Sequence, residues 1–253
     1  MGVSEEILFK TALKMTVSKL QFKADKMRTL NKLALSSISK ELKGLAGGKG
    51  AKFDRGLTLT KIRLSKLVND DNTADTYEIL MVDCELLLSK LNRLLAVRHD
   101  RKTGEIEGGD ELVLRLARKL MFASNYVNIK EFRKLVTLLV GKFGKPFYEE
   151  AIKVYPYGGD SADEDFAKKC KGGNVDELTE MYLREFCDTY KIDLYGEGKY
   201  DEEEKEDEDG DGGDDEPGDG EKIAEKKVEK VKEAPIGNDI DDLKKRFEAL
   251  KRL

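Results

Sequence analysis

Between Ile62 and Val97 apolar residues recur at helical spacing over an unusually long run. Ile62, Leu64, Leu67 and Val68 open it, and Tyr77, Met81, Cys84, Leu88, Leu91 and Leu95 continue at steps of three and four. That spacing lines one face of an α-helix, with Leu80, Leu87 and Leu94 widening the stripe. No Pro or Gly interrupts the run, which at 1.5 Å per residue would extend about 54 Å. So long a stripe needs a long partner to cover it. The preceding segment supplies one: Ser4 can cap a helix with Glu5 and Glu6 in its first turn, and Leu13, Val17, Leu20, Ala24, Met27, Ala34, Ile38, Leu42 and Leu45 keep a near-heptad step. The glycine-rich stretch Gly44–Gly50 ends that helix. The pattern predicts an αα-hairpin of residues 5–46 and about 54–98. Asn69-Asp-Asp-Asn-Thr73 is its weak point, where the second helix is expected to kink or break.

Shorter helices follow a polar linker from His99 to Gly109. Asp110 caps one whose inward face is Leu112, Val113, Leu116, Ala117, Leu120 and Ala123. Asn128 with Glu131 reads as a capping box for the next, carrying Phe132, Leu135, Val136, Leu139 and Phe143. Gly144 and Pro146 punctuate before a short helix to about Lys153, and Tyr155–Gly159 is a loop. Ser161 with Glu164 is a further capping box, and Asn174 with Glu177 starts a last helix with Val175, Leu178, Tyr182, Phe186 and Tyr190 on its face. No stretch alternates at period two. The fold class is therefore all-α: a long hairpin with shorter covering helices, forming a core over residues 1–195.

Residues 196–238 differ in kind. The first part is acidic and Gly-rich with almost no apolar residue, and Glu221–Glu233 is rich in Lys and Glu. Such a segment cannot bury enough surface to offset chain entropy and is expected to be a disordered linker. Helical periodicity returns in residues 239–253, where Leu243, Phe247 and Leu250 stand at i, i+4 and i+7. Acids lead this segment and bases end it, as the helix dipole prefers. An isolated amphipathic helix of fifteen residues is a ligand for a groove.

Charge sharpens the picture. The net charge of −5 conceals fifteen Lys/Arg against five Asp/Glu in residues 1–66, and fifteen Asp/Glu against two Lys in residues 197–221. The first helix carries Lys10, Lys14, Lys19, Lys23, Lys26, Arg28, Lys32, Lys40 and Lys43 away from its apolar stripe, with only Asp25 and Glu41 opposing. A long face of one sign suits an anionic membrane surface or an acidic protein partner. Nucleic acid is the runner-up, without a recognition motif or interleaved aromatics to support it. Opposite-signed ends also suit self-assembly that one end can mask.

Catalytic and cofactor chemistry finds little to use. Gly44–Gly50 does not meet the P-loop spacing and follows a helix. Asp207, Asp209 and Asp211 match the first half of a calcium loop, but Gly218 stands where a bidentate Glu is needed. His99 is the single histidine, with no nucleophile at a recognisable spacing, and the three cysteines (Cys84, Cys170, Cys187) form no metal or disulfide pattern. No cofactor, metal or enzymatic activity is expected. The N-terminus shows no apolar targeting segment, and Glu6 sits where a myristoylation signal requires Ser or Thr. A cytoplasmic protein is expected.

The stretches Lys61-Ile-Arg-Leu-Ser-Lys-Leu-Val68, Thr76-Tyr-Glu-Ile-Leu80 and Cys84-Glu-Leu-Leu-Leu-Ser-Lys-Leu91 resemble the second helix of the increased-sodium-tolerance family. Those proteins are ESCRT-III-like regulators of the Vps-type AAA ATPase. Glu180-Met-Tyr-Leu-Arg-Glu-Phe186 resembles the end of the family's core. The C-terminal segment resembles its type-1 MIT-interacting motif, with Asp241 and Asp242 leading and Leu243, Arg246, Phe247, Leu250 and Lys251 at the motif positions. The resemblance implies an ESCRT-III-associated regulator that binds the ATPase's MIT domain through residues 239–253. It also implies engagement of ESCRT-III subunits, and recruitment to the periphery of endosomal membranes in multivesicular body sorting and scission. Lys10, Lys14, Lys19, Lys23, Lys26, Arg28 and Lys32 are the candidate membrane or assembly face.

Overall fold

A computed structural model describes residues 3–100, 106–156, 161–173 and 175–198. Two helices dominate it, α1 (Val3–Leu45) and α2 (Ala51–Ser89). They run antiparallel, as the pairings Arg28 to Asp75, Asn31 to Asp71 and Arg63 to Glu41 require. Gly47 and Gly50, at φ 67° and 84°, make the turn between them. Beside it the helices approach so closely that a Cβ on Gly56 would stand 2.6 Å from a Leu45 methyl.

The break expected at Asn69–Thr73 does not occur. Asp71 is buried and accepts hydrogen bonds from Asn31 Nδ2 (2.8 Å) and the Tyr182 hydroxyl (3.1 Å). Thr73 and Thr76 donate back to the carbonyls of Asn69 and Asn72. With these polar groups engaged, the backbone keeps its helical pairing. The interruption falls instead at Lys90 (φ −103°, ψ 21°), where the Ser89 hydroxyl bonds the Leu86 carbonyl and tightens the turn. A short α3 (Leu91–Ala96) follows, burying Leu91 and Leu94.

Within the polar linker Arg98–His99 (β1) pairs antiparallel with Ile106–Glu107 (β2), too short a ladder for period-two patterning to reveal. His99 packs on the backbone of Gly144, where a Cβ would lie 2.3 Å from Nε2. Helices α4 (Glu111–Ala123), α5 (Lys130–Phe143), α6 (Lys145–Val154), α7 (Ser161–Cys170) and α8 (Val175–Thr189) complete the fold. Asp110 caps α4 as expected, accepting from the Leu112 amide. Asn128 does not cap α5: Ile129 occupies that position with its side chain buried in the core. Asn174 lies outside the described residues.

The buried side chains form two clusters. The larger unites the N-terminal half of α1 and the C-terminal half of α2 with α3 to α7. The smaller lies at the other end of the hairpin, where Tyr182, Leu183 and Phe186 of α8, with Ile192 and Leu194, cover Ile38, Leu42, Leu64 and Leu67. Between the clusters sits a polar belt. Arg28 meets Asp75 (2.5 Å), Glu78 (3.1 Å) and Asp71 (3.5 Å), and Lys169 of α7 reaches Asp75 (3.1 Å). Two expected inward residues face outward, Ile62 (61% exposed) and Leu112 (39%). The stripe centres on Leu80, Cys84 and Leu87 of α2 and then Leu91 and Leu94 of α3, while Tyr77, Met81, Leu88 and Leu95 flank it, only partly buried.

Candidate interaction surface

Helix α1 needs only one face for the hairpin, and Phe9, Leu13, Thr16, Leu20, Ala24, Asn31, Leu35, Ile38 and Leu42 provide it. The opposite face is left to solvent. Of the expected basic residues, Lys10, Lys14, Lys26 and Lys32 are exposed, and Lys19 and Lys23 are half-buried along their stems. Arg28 departs from this group. The acidic belt of α2 holds its guanidinium against the hairpin, so it does not belong to a free basic surface. Glu41, one of the two acids opposing the basic face, is itself paired with Arg63.

The lysines are not alone. Leu8, Met15 and Phe22 stand on the solvent side at seven-residue steps, 53%, 52% and 58% exposed, with Leu33 further along at 66%. The Lys19 ammonium lies 5.4 Å from the centroid of the Phe22 ring. The signal for this second apolar stripe was present as the repeat of seven, but the stronger buried stripe at the same period obscured it.

At the N-terminal end this stripe borders α5 and forms a groove of about 460 Å³. Leu8, Thr11, Ala12 and Met15 line one wall, and Glu131, Lys134, Thr137 and Leu138 line the other. One end is fixed by Lys142, which pairs with Glu5 (3.1 Å) and donates to the Leu95 carbonyl (2.9 Å). The two helices are therefore antiparallel along the groove, with Met15 beside the N-terminal turn of α5.

The interior polar groups have a structural disposition. Lys119 pairs with buried Asp83 (3.1 Å), and burial, opposed by that lysine, pushes the Asp83 carboxyl up. Arg115 meets buried Asp163 (3.1 Å). Burial raises the Cys84 thiol strongly and pushes Cys170 up to about 12, leaving both as unreactive packing groups. Among the described residues no cluster of His, Cys, Asp or Glu could hold a metal ion, and no helix is long and apolar enough to cross a membrane. Asp241, Asp242, Leu243, Arg246, Phe247, Leu250 and Lys251 lie outside the described residues, as do the half calcium loop and most of the acidic linker.

The family described as "Ist1: Regulator of Vps4 activity in the MVB pathway" matches residues 10–193, the hairpin and its covering helices. The chain belongs to the Ist1 family. Among relatives of known role, the vacuolar protein sorting-associated protein IST1 of Saccharomyces cerevisiae is 25% identical over 190 residues, 74% of this chain. The chain spans 58% of that protein's length. The crystal structure of the S. cerevisiae Ist1 N-terminal domain in complex with the Did2 MIM motif shares the fold at a TM-score of 0.57 and 24% identity, covering 74% of this chain and 93% of the other. The all-α, ESCRT-III-like architecture of that Ist1 domain is thus also the architecture here.

Proposed function

We propose that this chain is an ESCRT-III-associated regulator of the Vps-type AAA ATPase in endosomal multivesicular body sorting, a scaffold without catalysis of its own. Residues 239–253 bind the ATPase's MIT domain, with Leu243, Phe247 and Leu250 entering an apolar groove and Asp241, Asp242, Arg246 and Lys251 making polar contacts at its edges. The exposed face of α1 engages ESCRT-III subunits and anionic membrane, its lysines attracted by acidic headgroups. The observation that carries this reading is the Ist1 family match over residues 10–193, joined in one chain to an acid-led amphipathic segment. The solved Ist1 domain holding a MIM motif supports ESCRT-III partners for the core. A pull-down with purified ATPase MIT domain tests it: the full chain is retained, and the chain lacking residues 239–253 is not. Equal retention of both would remove the motif from the account.

A further inference from the structure

We infer that Phe22, Leu30 and Leu33, on the exposed ridge of α1, enter the acyl-chain boundary of an anionic bilayer while the lysines between them hold its headgroups. The inference rests on the membrane reading above and deepens it: the contact is apolar insertion as well as charge.

Helical spacing builds the ridge. Lys19, Phe22, Lys26, Leu30, Leu33 and Lys40 follow one another at steps of three, four and seven, so they stand in one line over about 32 Å. That line is turned away from α2. Phe22 precedes Asn31, the partner of Asp71, by nine residues, and Leu33 follows buried Ala24 by nine. Nine residues make about two and a half turns, which puts each apolar residue on the side of α1 opposite its hairpin contact.

The ridge is uncovered. All three apolar side chains are more than half exposed. Helix α5 begins beside Met15, so the line from Phe22 to Lys40 runs on past its end. Apolar residues spaced by lysines on a convex helix have no groove walls around them, and they meet a plane along their whole length. A bilayer interface is such a plane, where apolar side chains sink about 5–10 Å and lysine stems reach back to the phosphates. Lys19 and Phe22 already have this arrangement, with the lysine stem half-buried and its ammonium 5.4 Å from the ring centroid.

The sign of the charge selects the lipid. Between Lys19 and Lys43 six lysines stand against Asp25 and Glu41, and Glu41 is paired with Arg63. The ridge therefore complements acidic headgroups, and its apolar residues add a part of the binding that salt does not screen.

The chain contains no Trp, so a single Trp introduced into the full chain reports its own surroundings. Phe22→Trp and, separately, Leu33→Trp are mixed with phosphatidylcholine–phosphatidylserine vesicles whose acyl chains carry bromine, a contact quencher of indole. Each should lose about half of its emission or more at physiological salt, because the side chain then lies among the acyl chains. Ile62→Trp is the control. Ile62 is also exposed, but it precedes Asp71 by nine residues and so lies on the side of α2 opposite the contact with Asn31. Its emission should not change. Co-sedimentation supplies a second readout: Phe22→Ser, Leu30→Ser and Leu33→Ser together leave every lysine in place and should weaken binding at least about tenfold. All three side chains are exposed, so the fold is kept, which circular dichroism checks. Full sedimentation without quenching at positions 22 and 33 overturns insertion and leaves the membrane reading as attraction by charge alone. Equal quenching at position 62, or undiminished binding of the serine variant, overturns the ridge as the inserting face. No sedimentation of the unmodified chain refutes the membrane reading and the insertion together.

Discussion

Replacing Asp71 with Ala should be among the most damaging single changes in the molecule, although Asp71 lies in a stretch that looks like a helix breaker. Its side chain joins three elements. Asn31 of α1 donates at 2.8 Å, Tyr182 of α8 at 3.1 Å and Arg28 of α1 at 3.5 Å. Asn31 and Tyr182 are 6% and 8% exposed, so water cannot readily replace the lost acceptor. A buried donor left unsatisfied costs about 1–3 kcal/mol. Two such donors, with weakened anchoring of Arg28, give an expected loss of about 3–5 kcal/mol, discounted for non-additivity. That is a large part of the 5–15 kcal/mol typical of a domain. Urea unfolding followed by circular dichroism measures it. Glu78→Ala is the control, since Glu78 meets the same arginine at 3.1 Å but is 46% exposed, and its loss should stay below about 1 kcal/mol. Combining Asp71→Ala with Tyr182→Phe should cost less than the sum by about 1 kcal/mol or more, because both remove the same hydrogen bond between α8 and the hairpin. If Asp71→Ala costs no more than Glu78→Ala, the polar belt does not anchor the fold.

Gly144→Ala should destabilise by about 2 kcal/mol or more in the same assay, since φ is 89° there and the new Cβ would meet the His99 ring at 2.3 Å; a neutral result would mean that β1 moves aside freely. Changing Lys10, Lys14, Lys19, Lys26 and Lys32 to Glu should abolish co-sedimentation with acidic liposomes at physiological salt, as each basic residue contributes about 1 kcal/mol near such a surface. Unchanged binding would exclude the α1 face, and Arg28 is left intact because its loss would perturb the hairpin. Labelling of Cys170 in the native protein should be very slow at pH 8 and accelerate only as pH approaches 12, because burial favours the protonated thiol and leaves about one thiolate in ten thousand at pH 8. Rapid labelling at pH 8 would show that α7 opens readily.

Much of the fold is legible in the sequence because helical periodicity reports burial directly. Phe132, Leu135, Val136, Leu139 and Phe143 all enter the core as their spacing predicts, and Asp110 caps the helix it precedes. What periodicity misses is decided by partners far along the chain. Asp71 reads as a breaker until Asn31 and Tyr182, 40 and 111 residues away, supply its hydrogen bonds. Arg28 reads as one more basic surface residue until the acids of α2 take it inward. Ile62 opens the α2 stripe in sequence, yet it stays exposed. The second stripe of α1 is hidden for a different reason: Leu8, Met15 and Phe22 share the heptad step of the buried face, and only the structure separates the two sides.

The central claim is that the C-terminal stripe recruits the ATPase, and calorimetry with a peptide of residues 236–253 and the MIT domain tests it most directly. Burying Leu243, Phe247 and Leu250 is worth roughly 1.5–3 kcal/mol each. Ordering the peptide consumes about half of that gain or more, which with the flanking charge contacts leaves an affinity on the order of micromolar. Leu250→Asp puts a charge into the apolar groove and should weaken binding at least about tenfold, a difference of roughly 1.4 kcal/mol. Lys244→Ala lies off the stripe and should leave it nearly unchanged. Equal losses from the two substitutions would contradict the account, since the contact would then be diffuse charge rather than a helix seated by its apolar face.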